Sequence, residues 1–180
     1  MNELTRWLRA QPSLTGSPPP LDPSDLPTDP ITLFETWIRH AADAGVAEPR
    51  AMTLATADAG GRPDARTLIL KGVDADSWQF AGPRSSAKGA QLSENPAAAL
   101  NLWWQPVMRA VRVRGAVREA APDESAADIA GSPAGALLAP GDWVLWRLVP
   151  DRIEFWQGSS DRRHVRIVYT HDGHGWTREA

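Results

Sequence analysis

The side chains best equipped for chemistry gather toward the end of the chain, in the stretch Ile153-Glu-Phe-Trp-Gln-Gly-Ser-Ser-Asp-Arg-Arg-His-Val-Arg-Ile-Val-Tyr169. Two strand-like runs, Ile153 to Gln157 and Val165 to Thr170, flank a polar turn with Arg162, Arg163 and His164, and Arg166 follows just beyond it. That is the pattern of a hairpin. Alternation along the second run sends His164, Arg166 and Val168 to one face and Val165, Ile167 and Tyr169 to the other. An imidazole and a guanidinium then share a face close to Trp156, so that cation donors stand beside a flat apolar wall. The same residues also fit an edge strand whose arginines are solvated and whose Trp caps a core, and the pattern alone does not choose.

Further cations lie upstream. Arg66 and Lys71 share the strand-like run Ala65 to Lys71, at an odd separation that points them to opposite faces unless a bulge intervenes, so the two are not expected to grip one group. Ser86 is suited to cap a helix that has Lys88 near its start, and the amides and dipole of such a helix end favour an anion. In Met108 to Glu119, alternation sets Ala110, Arg112 and Arg114 against Val111, Val113 and Gly115, one face cationic and the other packed. His40, His171 and His174 form no convincing ligand set, and no metal site is expected.

Composition limits the classes of function. With 180 residues and 42% hydrophobic content, the chain supports one globular domain with a real core. Net charge is −3, so no overall basic field favours nucleic acid or an acidic membrane surface. There is no cysteine, hence no disulfide, thiolate metal site or cysteine nucleophile, and a reducing cytoplasm is the expected compartment. No apolar run approaches the length that spans a bilayer, and the N-terminus lacks the pattern of a signal peptide.

The elements that must position these residues read as follows. Residues 1 to 28 read as a Pro-rich arm, either extended or disordered, apart from a short amphipathic turn of helix over Leu4 to Ala10. Asp29-Pro30 opens a helix to about Ala44, with Leu33, Phe34, Trp37, Ile38 and Ala41 at helical spacing. Met52 to Ala57 and Ala65 to Lys71 form a hairpin through Asp58 to Arg62. Then come a strand Ser77 to Ala81, a helix Ala87 to Ser93, strands Ala98 to Trp103 and Met108 to Glu119, and a brief helix Pro122 to Ile129. A small-residue loop spans Gly131 to Gly141, followed by separate strands Trp143 to Val149, Ile153 to Gln157 and Val165 to Thr170. Many short strands and few helices predict a mainly β fold, an antiparallel barrel with flanking helices.

Several segments in order carry a resemblance: Asp25-Leu-Pro-Thr-Asp-Pro30, Glu48-Pro-Arg-Ala-Met-Thr-Leu-Ala-Thr56, Arg66-Thr-Leu-Ile-Leu-Lys71, Ser86-Ala-Lys88-Gly, Asn95-Pro96, and Ile153 to Gly158 followed by Arg162, His164 and Arg166. Together they resemble the pyridoxamine (pyridoxine) 5'-phosphate oxidase family, which includes the flavin oxidases of phenazine biosynthesis. The resemblance implies a split antiparallel barrel over residues 29 to 180, a C-terminal dimerisation hairpin over about 143 to 180, and a homodimer binding flavin mononucleotide (FMN) at the subunit interface. It implies cofactor contacts from Arg66, Thr67, Leu68, Ile69, Lys71, Ser86, Lys88, Trp156 and Arg166, and substrate contacts from Lys71, Arg162 and His164. The catalytic candidates are His164 and Arg162. The activity implied is oxidation of pyridoxamine or pyridoxine 5'-phosphate to pyridoxal 5'-phosphate with dioxygen as acceptor.

The chain departs from the family pattern at three places. Ala87 stands where an Arg is usual, and Ala110 where a Gln is expected. The interval Asp123 to Asp142, where the family's Tyr, Arg and Ser hold the substrate phosphate, is short and contains no arginine. Two alternatives follow: a related oxidase acting on a larger unphosphorylated heteroaromatic, or a protein that binds FMN or a deazaflavin without oxidising a vitamer.

Overall fold

The computed structural model describes residues 1–130 and 137–179, so the loop expected over Gly131 to Gly141 lies largely outside the described residues. The described strands are β1 (Ala51–Ala57), β2 (Pro63–Ile69), β3 (Gly72–Val73), β4 (Trp78–Pro83), β5 (Ala97–Trp104), β6 (Arg109–Glu119), β7 (Trp143–Gln157), β8 (Val165–His171) and β9 (Trp176–Glu179). Helices α1 (Glu3–Ala10), α2 (Pro30–Asp43), α3 (Ala87–Glu94) and α4 (Pro122–Ala130) flank them. The order is β2-β1-β5-β6-β7-β4-β3, with β8 and then β9 extending from β7, and every pairing is antiparallel.

The expected alternation governs which residues pack. On β6, Val111 and Val113 are buried while Arg112 and Arg114 are exposed, and on β8 Ile167 and Tyr169 are buried while Arg166 is exposed. The inner faces of β1, β4, β5, β6, β7 and β8 close a core that α2 plugs. Asp29 caps α2 by accepting from the backbone N–H groups of Ile31 and Thr32 at 3.2 and 2.9 Å. The helix buries Leu33, Phe34, Trp37 and Ala41. Phe34 meets Trp78 with ring centroids 4.3 Å apart, and Trp37 meets Phe155 edge-on at 5.2 Å.

Three expectations are corrected. The separate strands over Trp143 to Val149 and Ile153 to Gln157 are one strand, β7, because Pro150 and Asp151 form a bulge instead of a turn. Gly115 pairs with Pro150 and Arg114 with Arg152, leaving Asp151 as the extra residue. A side chain at position 115 would meet the Val149 carbonyl oxygen at 1.9 Å, so only glycine lets the strands approach here. Second, Lys71 is not on the strand of Arg66. β2 ends at Ile69, and the Lys71 N–H donates to the Gln79 carbonyl at 2.8 Å, on β4. Third, β3 and β9 were not anticipated, being short and lacking an apolar alternation of their own.

The Pro-rich arm runs against its own barrel. Ser17 N–H donates to Pro106 O, Gln157 Nε2 to Pro19 O at 2.9 Å, and Tyr169 Oη to Pro27 O at 2.6 Å. Leading it, α1 leaves Leu4, Trp7 and Leu8 exposed. No helix among the described residues is long and apolar enough to cross a membrane.

Candidate functional site

The first cluster joins β2 to the start of α3. Arg66 lies opposite Leu54 of β1, so its side chain takes the same face as the core residues there. Its guanidinium donates to Thr56 Oγ1, to Gln91 Oε1 at 3.0 Å and to Asp64 Oδ2 at 2.8 Å. Ser86 caps α3, its Oγ accepting from Gly89 N–H at 3.4 Å and from Lys88 Nζ at 2.9 Å. Lys88 is buried, its ammonium over the Trp146 ring at 5.2 Å from the centroid. Gly82 makes room for it, since a Cβ there would lie 2.3 Å from Nζ.

Burial pushes the Lys88 pKa down, and the positive charge of Arg66 pushes it further, with Asp142 opposing. No carboxylate among the described residues lies within ion-pair distance of Lys88. Lys88, at a capped helix N-terminus, is thus without an anion, and Arg66 beside it pairs only with the exposed Asp64. That donor set fits the phosphate of FMN, which carries close to two negative charges. Among the described residues β2 is an edge strand, so the backbone groups of residues 67–69 that point away from β1 are unpaired. Thr67 and Ile69 face outward and Leu68 inward, opposite Met52.

The second cluster lies on the outer face of β5 to β8. Trp103, Ala110, Trp156 and Arg166 are successive lateral neighbours across those four strands. The Trp103 and Trp156 rings lie 5.9 Å apart over the small Ala110, and His164 lies 5.0 Å from Trp156. The Ser159 N–H donates to His164 Nδ1 at 3.1 Å. With Nδ1 accepting, the neutral imidazole carries its proton on Nε2 and presents a donor there. Arg162 stands in the preceding turn with φ of 67°, in the left-handed region, which fixes the path of the turn.

Beneath this wall sits Glu154, 2% exposed, accepting from Arg112 and Arg166 on Oε1 and from Arg152 on Oε2 at 2.7 Å. Burial raises its pKa, but the Arg152 hydrogen bond and the charges of Arg112 and Arg166 outweigh this and hold it below the usual carboxylate value. A shallow groove of about 210 Å3 continues the face, lined by Thr53, Ala55, Ala99, Asn101, Arg112 and Arg114.

Lys71 belongs to neither cluster. It pairs with Asp128 of α4 at 3.1 Å. The structure therefore brings together Arg66, Ser86 and Lys88, and separately Trp156, His164 and Arg166, with β1, β5 and β6 between β2 and β7. Sequence reasoning missed Thr56, Gln91, Glu154, Trp103 as part of the wall, and Asp128. For Glu154 a signal existed: it is the lone acid on the face that alternation gives to Trp156 and Arg166.

Known proteins place this architecture. The barrel superimposes on PhzG from Burkholderia lata 383, solved in complex with tetrahydrophenazine-1-carboxylic acid, with a TM-score of 0.84, 28% identity and coverage of 91% of this chain and 98% of that one. A pyridoxamine 5'-phosphate oxidase-related, FMN-binding protein from Nostoc punctiforme shares the fold at a TM-score of 0.65 and 21% identity, over 82% of this chain and 95% of that one. The molecule is thus a split barrel. Residues 38–157 match the family described as pyridoxamine 5'-phosphate oxidase, and residues 143–180 match the pyridoxine 5'-phosphate oxidase C-terminal dimerisation region. The pyridoxine/pyridoxamine 5'-phosphate oxidase of Paraburkholderia phymatum is 38% identical over 87% of this chain and 90% of its own length. The chain belongs to the pyridoxamine 5'-phosphate oxidase family, a family of FMN-dependent oxidoreductases, and its dimerisation region implies a homodimer.

Proposed function

We propose that the chain is an FMN-dependent oxidase of a flat heteroaromatic amine or alcohol, working as a cytoplasmic homodimer with each FMN at the subunit interface. The observation that carries this is the division of the donors into two clusters. Arg66, Ser86 and Lys88 suit the cofactor phosphate, while Trp156, Arg166 and His164 lie across the sheet, within the segment that matches the dimerisation region. In a dimer, the second cluster of one protomer completes the first cluster of its partner.

Held by these residues, FMN would supply a two-electron acceptor for the substrate's hydride, with dioxygen as the terminal oxidant. The chain's own residues do the rest. Lys88 and Arg66 neutralise the phosphate, and the free edge of β2 supplies backbone partners for a ring edge. Trp156 walls the ring, and Arg166 supplies positive charge where negative charge develops. His164 orients the substrate by a hydrogen bond from its Nε2–H, the heteroatom's own proton passes to solvent as the hydride leaves, and Arg162 reaches the substrate from the turn. Lys71, which lies outside both clusters and pairs with Asp128, is assigned to the substrate on the family resemblance.

Relatives at 34 to 38% identity carry the name of the vitamer oxidase, and conversion of pyridoxamine or pyridoxine 5'-phosphate to pyridoxal 5'-phosphate is the model for the chemistry. A second reading, a larger unphosphorylated ring, is favoured by the Trp103–Trp156 wall over Ala110. Anaerobic mixing of the FMN-loaded protein with pyridoxine 5'-phosphate and with unphosphorylated tricyclic substrates tests both, by bleaching of the flavin band and by peroxide formation in air. Flavin that is bound yet reduced by neither class makes the chain a flavin-binding module.

A further inference from the structure

The ion pair of Lys71 and Asp128 is built into the fold. Its side chains are only 29% and 16% exposed, so their attraction is weakly screened. Trp143 completes it, donating its indole N–H to Asp128 Oδ2 at 2.8 Å while its ring lies 5.8 Å from Lys71 Nζ. The helix that carries Asp128 is pinned to the sheet: Ser125 Oγ accepts from Leu145 N–H at 3.1 Å, and Glu124 pairs with Arg147 of β7. Trp143 also walls a cavity of about 430 Å3 together with Ser125, Ala126, Ile129 and Leu138. At that cavity Arg84 and Glu119 satisfy each other through hydrogen bonds of 3.1 and 2.6 Å. Each of these cations already has its anion within the chain.

We propose that Asp128 determines specificity: it acts as an internal anion that satisfies Lys71, so the enzyme takes an unphosphorylated substrate and discriminates against a phosphate monoester. This rests on the reading of Lys71 as a substrate-facing residue. A monoester brings close to two negative charges at neutral pH. To use Lys71 it must approach a fixed carboxylate, at a cost in repulsion and desolvation, whereas an uncharged ring substituent meets neither.

The test titrates pyridoxine and pyridoxine 5'-phosphate, by calorimetry, into the wild-type protein, Asp128→Asn and the double variant Asp128→Asn/Lys71→Ala, with the flavin spectrum recorded in parallel. Asparagine keeps an acceptor for the Trp143 indole and removes only the charge. The wild-type protein is expected to bind the phosphate ester no more tightly than pyridoxine. Asp128→Asn should tighten the ester about tenfold, the worth of roughly one charged hydrogen bond, and leave pyridoxine unchanged. Adding Lys71→Ala should abolish that gain. A wild-type preference for the ester of about tenfold or more, or an unchanged ratio in Asp128→Asn, overturns the proposal. Either result with flavin bound sinks the role of Asp128 alone; absence of flavin from the wild-type spectrum sinks the oxidase reading.

Discussion

Arg112 of β6 and Arg166 of β8 donate to the same oxygen, Oε1, of Glu154 on the strand between them. Two guanidiniums that would otherwise repel are thereby held side by side, each about half exposed. The carboxylate sets where the positive charge beside Trp156 stands.

Glu154→Gln should therefore loosen Arg166 and destabilise the fold by about 1–3 kcal/mol, a figure discounted for the exposure of the arginines. The pH dependence has a definite sign. The folded-state pKa of Glu154 lies below its usual value of 4.5, so its contribution is complete above that value and is lost as pH falls through the lower, folded one. Acid unfolding followed by tryptophan fluorescence should show a stability loss below about pH 4.5 that is smaller in Glu154→Gln; identical acid profiles would remove the role given to this carboxylate.

Lys88 faces the opposite trade. Its lowered pKa means that the folded chain holds its charge at a cost near neutral pH. Lys88→Met is expected to leave the flavin-free protein as stable as wild type or more so, while weakening FMN about tenfold or more. Thermal melts with and without FMN check both halves; a variant with lower stability and unchanged FMN affinity would place Lys88 in the structural scaffold only.

Arg66→Ala should weaken FMN at least about tenfold through loss of one charged hydrogen bond, with the fold intact. Because Arg66 also ties Thr56 to Gln91, circular dichroism is needed beside the FMN titration. Unchanged affinity would rule out its phosphate role.

At the far cluster, Arg166→Ala should slow flavin reduction or release FMN, and Trp103→Ala should raise KM for a tricyclic substrate more than for pyridoxine. Stopped-flow reduction and steady-state kinetics separate these effects. Equal losses on both substrates would mean that Trp103 supports the fold and does not select the ring.

Much of this was legible in the sequence. Asp29-Pro30 with the apolar spacing of Phe34, Trp37 and Ala41 specifies α2 locally, and the alternation on β6 and β8 specifies which side chains face out. What escaped depends on contacts distant along the chain. Pro150-Asp151 reads as a turn, and only Gly115 on the neighbouring strand makes it a bulge. Lys71 reads as part of a strand, yet its backbone switches to β4 and its charge to α4. Alternation places Glu154 on the cationic face, but its burial under arginines from β6, β7 and β8 depends on strand register, which local pattern does not fix.

The central claim is that these two clusters hold FMN. The most direct measurement is the visible absorption spectrum of the purified chain before and after excess FMN, with mass identification of any released cofactor. A flavin band with FMN released on denaturation, or a band that appears on adding FMN and survives gel filtration, is the expected result. A colourless protein that retains no FMN would contradict the assignment of Arg66, Lys88, Trp156 and Arg166 as a cofactor site.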